Sequence, residues 1–148
     1  MKRTRPYSIL VIEDNESDVF LLERALNRQH LNFQLTHLKS ATEAYAFIRR
    51  EGPYAKMPRP DMILADWNLP PLNGEEIIRQ IRSARHFYGV ATCIWSSSES
   101  FRSFELQNHL HFYKAFFKPA GLAQFMKIGK IVKHLLLRRL PTRIPAFT

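Results

Sequence analysis

Cysteine is nearly absent: Cys93 is the single thiol in 148 residues, so no intramolecular disulfide can form. No Cys/His cluster has zinc-ligand spacing, which leaves a hydrophobic core to hold the fold. Long apolar runs are missing as well. The basic start Met1-Lys2-Arg3-Thr4-Arg5-Pro6 is followed only by Ile9-Leu10-Val11-Ile12 before Glu13-Asp14-Asn15-Glu16. That run is too short for a secretory core, and no stretch is long enough to span a bilayer. A reducing, cytoplasmic setting without a membrane partner is expected, with Cys93 a small buried hydrophobe inside an apolar strand. Glycine is scarce, 5 residues against 9 prolines, and with 45% hydrophobic and 24% charged residues the composition is that of one globular domain.

Acid is missing from the C-terminal end. Lys and Arg number 22 against 13 Asp and Glu, a net charge of +9, and from Leu106 to Thr148 there are 8 basic residues and no acidic one. Such an excess suits an acidic protein, a nucleic acid or an anionic surface, and a solvated helix face accounts for it equally well. No recognition helix or appended DNA-binding domain is discernible, so nucleic acid is not the expected partner.

What is present is an alternation. Ile9 to Ile12 is a short β-branched apolar run ending in carboxylates, as in a parallel strand buried on both faces. Val19, Leu22 and Leu26, with Ala25 beside them, then keep helical spacing, with Ser17 or Asp18 as the cap. Phe33 to Leu38 predicts a second strand, and Ala41 to Arg50 a second helix with Ala44, Tyr45 and Ile48 inward. Residues 51–60 hold three prolines and a glycine and read as loop. Met62 to Ala65 repeats the opening pattern and stops at Asp66, followed by the turn Pro70-Pro71-Leu72-Asn73-Gly74. Ile77, Ile78 and Ile81 form a helical stripe, Ala91 to Trp95 a strand ending at Ser96, Phe101 to Leu110 a less regular helix, and Phe112 to Phe117 a strand ending at Lys118-Pro119. A final helix carries Phe125, Ile128, Val132, Leu135 and Leu136 on one stripe, with Lys127, Lys130, Lys133 and Arg138 largely off it. Five strands alternating with five helices predict a three-layer α/β domain with a parallel sheet.

In such a sheet the binding crevice lies outside the carboxyl ends of the strands. Glu13, Asp14, Asp66, Ser96 and Lys118 all fall there. Carboxylates gathered in one cleft repel and raise one another's pKa unless a cation offsets them. The all-oxygen set favours a hard divalent ion, Mg²⁺. Lys118 supplies a second positive charge, Ser96 a hydroxyl for a phosphoryl oxygen, and Asp66 a nucleophile between metal and ammonium. The chemistry is phosphoryl transfer to Asp66 by positioning and charge neutralisation.

The sequence resembles the receiver domain of bacterial response regulators across roughly residues 7–138. The motifs are Val11-Ile12-Glu13-Asp14-Asn15, then Asp66-Trp67-Asn68-Leu69-Pro70 with Gly74 following, and Lys118-Pro119. Within that family, the stretch from Glu51-Gly52-Pro53-Tyr54 to Pro58-Arg59-Pro60-Asp61 is similar to single-domain regulators that serve bacterial phytochrome histidine kinases. The resemblance implies a flavodoxin-like, doubly wound five-stranded parallel sheet of order 2-1-3-4-5 with five helices. Residues 7–139 would form the receiver, with a basic tail at 1–6 and a second tail at 140–148. Asp66 is then the phosphoacceptor. Asp14, Asp66 and the main-chain carbonyl of Asn68 bind Mg²⁺, Glu13 acts through water, Ser96 and Lys118 receive the phosphoryl group, and the bond to Pro119 is cis. The implied function is a single-domain response regulator of a phosphorelay, fed by a sensor histidine kinase and signalling to a downstream protein by contact.

One position departs from the family pattern: three residues before the lysine, where an aromatic usually takes part in the switch, stands Ala115, and alternation turns Phe116 to the opposite face. A phosphatase of the haloacid dehalogenase type is the enzyme rival, but its acid/base aspartate two residues after the nucleophile is here Asn68, which cannot shuttle a proton. The other alternative is an unphosphorylated receiver-like scaffold binding an acidic partner. The apolar and basic terminal helix further predicts a homodimer. His109 and His111 lack a third ligand and read as surface residues.

Overall fold

The computed structural model describes residues 3–70, 72–96, 114–118 and 121–138. Along the chain run β1 (Tyr7–Ile12), α1 (Glu16–Arg28), β2 (Phe33–Leu38), α2 (Ala41–Ile48), β3 (Met62–Asp66), α3 (Gly74–Ser83), β4 (Ala91–Ser96), β5 (Lys114–Phe117) and α4 (Leu122–Leu137). The five strands form one sheet of order β2-β1-β3-β4-β5, and every pairing is parallel. This is the doubly wound, flavodoxin-like order that the family resemblance implies, built on the parallel sheet expected from the alternation. The helix expected over Phe101 to Leu110, the strand residues Phe112 and Tyr113, the pair His109 and His111, Pro119 and the tail from 139 onward lie outside the described residues.

The uninterrupted apolar strands are explained by burial on both faces. Ile9 and Val11 of β1, Met62 and Leu64 of β3, and Cys93 and Trp95 of β4 pack with α1 and α4 through Leu22, Leu26, Phe125 and Val132. The alternate residues Leu10, Ile12, Ile63 and Ala65 pack on the other side with α2 and α3 through Phe47, Ile77 and Ile81. The layer of α1 and α4 is tight: a Cβ added at Gly129 would lie 2.7 Å from the Ala25 carbonyl oxygen, so the two helices meet backbone on backbone. Lys133 Nζ donates to the Gln29 carbonyl oxygen, 2.6 Å away, placing a cation at the negative end of α1.

Local details differ from expectation at three places. The cap of α1 is Asn15, whose Oδ1 accepts from the Ser17 and Asp18 amides at 2.9 and 3.2 Å. The chain leaves β1 at Ile12 and turns at once, so the helix starts before Ser17 or Asp18 could cap it. Helix α2 stops at Ile48, because Arg50 takes a left-handed φ of 57°, and Phe47 is buried where Tyr45 is only half-buried. The loop after it contains one 3-10 turn, Gly52–Tyr54, in which Pro53 sits at the first turn, where no N–H is needed. No helix among the described residues is long and apolar enough to cross a membrane.

Candidate functional site

Parallel register brings the strand ends side by side. Ile12 is level with Ala65, Asp66 with Trp95, and Ser96 with Phe117. Glu13, Asp66, Ser96 and Lys118 therefore emerge along one edge of the sheet, each one step from its neighbour. Carboxylate oxygens of Glu13, Asp14 and Asp66 all lie within 4.8 Å of one another, with Glu13 and Asp66 buried and Asp14 exposed. Lys118 Nζ reaches into the same basin. It pairs with Glu13 Oε1 and lies 3.2 Å from Asp18 Oδ2 and 3.4 Å from Asp66 Oδ2.

The supports of Asp66 come from its own loop. The Asn68 amide donates to Asp66 Oδ1 at 3.0 Å. Trp67 donates from its amide to the Trp95 carbonyl, 3.2 Å, and accepts from the Gly74 amide, 2.6 Å. Asn68 pairs antiparallel with Asn73, which folds the turn back on itself. Only glycine fits at 74, because a Cβ there would lie 2.7 Å from Trp67 Cα and 3.1 Å from the Asp66 carbonyl oxygen. Ser96 is fully buried at the end of β4, and its carbonyl accepts from the Lys118 amide at 2.9 Å. Ala115 is half-buried beside Trp67, Ile78 and Ile94, while Phe116 is buried in the opposite layer with Trp95 and Phe125, as alternation required.

Two members of the site were not foreseen in these roles. Asp18 has the chemistry and position of a helix cap, yet its carboxylate pairs with Lys118. Its position four residues after Asp14, in the first turn of α1, was the available signal. His37, on β2, donates from Nε2 to the Glu13 carbonyl oxygen at 2.6 Å and braces the turn after β1. It was visible only as a polar residue near the end of an apolar strand.

The electrostatics follow from crowding. Burial, then the hydrogen bond and the charge of Asp66, push the Glu13 carboxyl up to about 9, against the pull of Lys118 in the other direction. Burial works against the Lys118 ammonium, but the hydrogen bond and charge of Glu13, with Asp66 and Asp18, hold it above the usual lysine range. The site thus sets a buried acid, with its hold on a proton strengthened, beside a cation. An all-oxygen donor set carrying surplus negative charge fits a hard divalent ion, which would offset that crowding.

Comparison with known proteins agrees with this geometry. A profile of the response regulator receiver domain matches residues 9–128. Response regulator Rcp1 of Synechocystis sp. is 30% identical over 95 residues, 64% of this chain and 65% of Rcp1, so the chain spans just under two thirds of that relative. Among solved structures, the phosphorylated cyanobacterial phytochrome response regulator RcpA superposes with a TM-score of 0.79 at 30% identity, covering 89% of this chain and 94% of RcpA. The Mn²⁺-bound form of Rcp1 gives a TM-score of 0.79 at 26% identity over 95% of this chain and all of that one (100%).

Proposed function

The chain belongs to the response regulator receiver domain family, and from that premise we propose that it is a single-domain response regulator whose phosphoacceptor is Asp66, with residues 7–139 as the receiver. The observation that carries this reading is the meeting of Glu13, Asp14 and Asp66 within 4.8 Å, with the Lys118 ammonium 3.4 Å from Asp66. Transfer from a phosphohistidine forms an O–P bond to the Asp66 carboxylate and breaks the N–P bond, the imidazole leaving. The Asn68 amide fixes the carboxylate while this happens. Lys118 exchanges a carboxylate contact for a phosphoryl oxygen, and the Ser96 hydroxyl takes another. Asp14, Asp66 and the Asn68 carbonyl would hold Mg²⁺, with Glu13 acting through water, and the ion would supply charge neutralisation on the phosphoryl oxygens.

The donor would be a sensor histidine kinase of the phytochrome type, since the cyanobacterial phytochrome response regulator RcpA is similar to this chain. Phosphorylation then changes the affinity for a downstream protein in the cytoplasm. Exposed Leu122, Ile131 and Leu137 on the basic helix α4 support a homodimer, read by light scattering with and without beryllofluoride. The deciding experiment is incubation of the folded protein with acetyl phosphate and Mg²⁺. Intact mass should rise by one phosphoryl group, and Asp66→Asn should abolish the gain. No gain in the parent protein would return the chain to the scaffold reading.

A further inference from the structure

Lys118 is held by more than its three carboxylates. Its Nζ lies 5.3 Å from the centre of the Trp95 ring, over the face. Trp95 is fully buried, is braced edge-on by Phe125 with ring centres 6.4 Å apart, and belongs to the strand that pairs directly with Asp66. Its indole N–H, though buried, meets no acceptor among the described residues. A tryptophan with an unpaired buried donor is a poor space filler, because an apolar ring would fill the volume without stranding a polar group. What the indole offers beyond an apolar filler is a large electron-rich face, and the neighbour on that face is the ammonium.

We propose that Trp95 is a positioning residue for Lys118, its ring face holding the ammonium over the acidic basin so that the cation is already aimed when a phosphoryl group reaches Asp66. Such a role presupposes Asp66 as the phosphoacceptor. A flexible four-carbon stem separates the Lys118 backbone from its charge, and the carboxylates alone do not fix the charge, since Glu13 and Asp18 draw it away from Asp66. The buried ring closes off one side. It thereby limits the positions the ammonium can take when its contacts change from carboxylate to phosphoryl oxygen.

The test compares Trp95→Phe, which keeps an aromatic face, with Trp95→Met, which fills space without one. With acetyl phosphate and Mg²⁺, Trp95→Phe should stay close to the parent rate, and Trp95→Met should fall roughly tenfold in rate constant with little change in half-saturating acetyl phosphate. A purely structural role would lower the urea midpoint of both variants without separating their rates. A second measurement needs no phosphorylation and no change at Trp95: in a Trp67→Phe background, Lys118→Met should change the intensity or wavelength of Trp95 emission. That arm stands even if Trp95→Met fails to fold. Equal rates for the two Trp95 variants, or unchanged emission in Lys118→Met, would overturn the proposal alone. A parent protein that takes no phosphoryl group would overturn the phosphoacceptor reading and the proposal together.

Discussion

Replacing Gly74 by alanine should unsettle the loop that carries Asp66. The new Cβ would lie 2.7 Å from Trp67 Cα, 2.9 Å from Trp67 Cε3 and 3.1 Å from the Asp66 carbonyl oxygen. Carbon atoms rest comfortably at about 3.5 Å, so the loop must retreat by roughly 0.8 Å. Two of the three atoms are backbone, and no rotamer change can relieve them. Overpacking of this kind costs about 1–3 kcal/mol. The gain in helix propensity, at most about 1 kcal/mol in a helix interior, is smaller at this first residue of α3. Since a displacement of about 1 Å at a reacting group can cost up to ~100-fold in rate, phosphorylation of Asp66 should slow by about tenfold or more. Urea unfolding reads the first effect and the rate of acetyl phosphate labelling the second. A Gly74→Ala protein with the parent's urea midpoint and labelling rate would refute the close approach and the mechanical link from it to Asp66.

Two further outcomes are expected. Gly129→Ala, which propensity alone would make stabilising by about 1 kcal/mol, should instead destabilise by about 2 kcal/mol, because its Cβ would sit 2.7 Å from the Ala25 carbonyl oxygen; a raised urea midpoint would contradict the packing of α1 on α4. The Glu13 carboxyl, pushed up to about 9 from an ordinary 4.5, gives the native state a proton that the unfolded chain releases earlier. Its contribution to stability is therefore full below the unfolded value and lost as pH rises through the folded one. In chelator, the parent should lose stability across that window more steeply than Glu13→Gln, with added Mg²⁺ recovering more at the alkaline end; parallel profiles would refute the shift.

Much of the framework was legible from local pattern. The runs at Ile9 to Ile12, Met62 to Ala65 and Ala91 to Trp95 became β1, β3 and β4, because an apolar stretch too short for a helix and stopped by polar residues has few places to lie except within a sheet. Glu13, Asp66, Ser96 and Lys118 could be named as neighbours because they end strands of a parallel sheet, where register does the rest. Capping was less legible: Asn15, Ser17 and Asp18 are all good caps by chemistry, and the tightness of the turn after Ile12 selected Asn15. Phe47 outranked Tyr45 for a similar reason, since the exact face of a helix only two turns long is set by what it packs against.

The order of apolar and charged residues along the chain was sufficient to determine the layers, the five strands and the edge on which the acids collect, since each depends on spacing between near neighbours. Distances across the fold were decided by tertiary packing alone. Glu13 and Lys118 stand 105 residues apart yet pair, Asp18 turns from a helix cap into their partner, and the Trp95 ring lies against the same ammonium. The upward shift of the Glu13 pKa belongs with these, because desolvation and neighbouring charge arise only when the chain has closed around the carboxyl group.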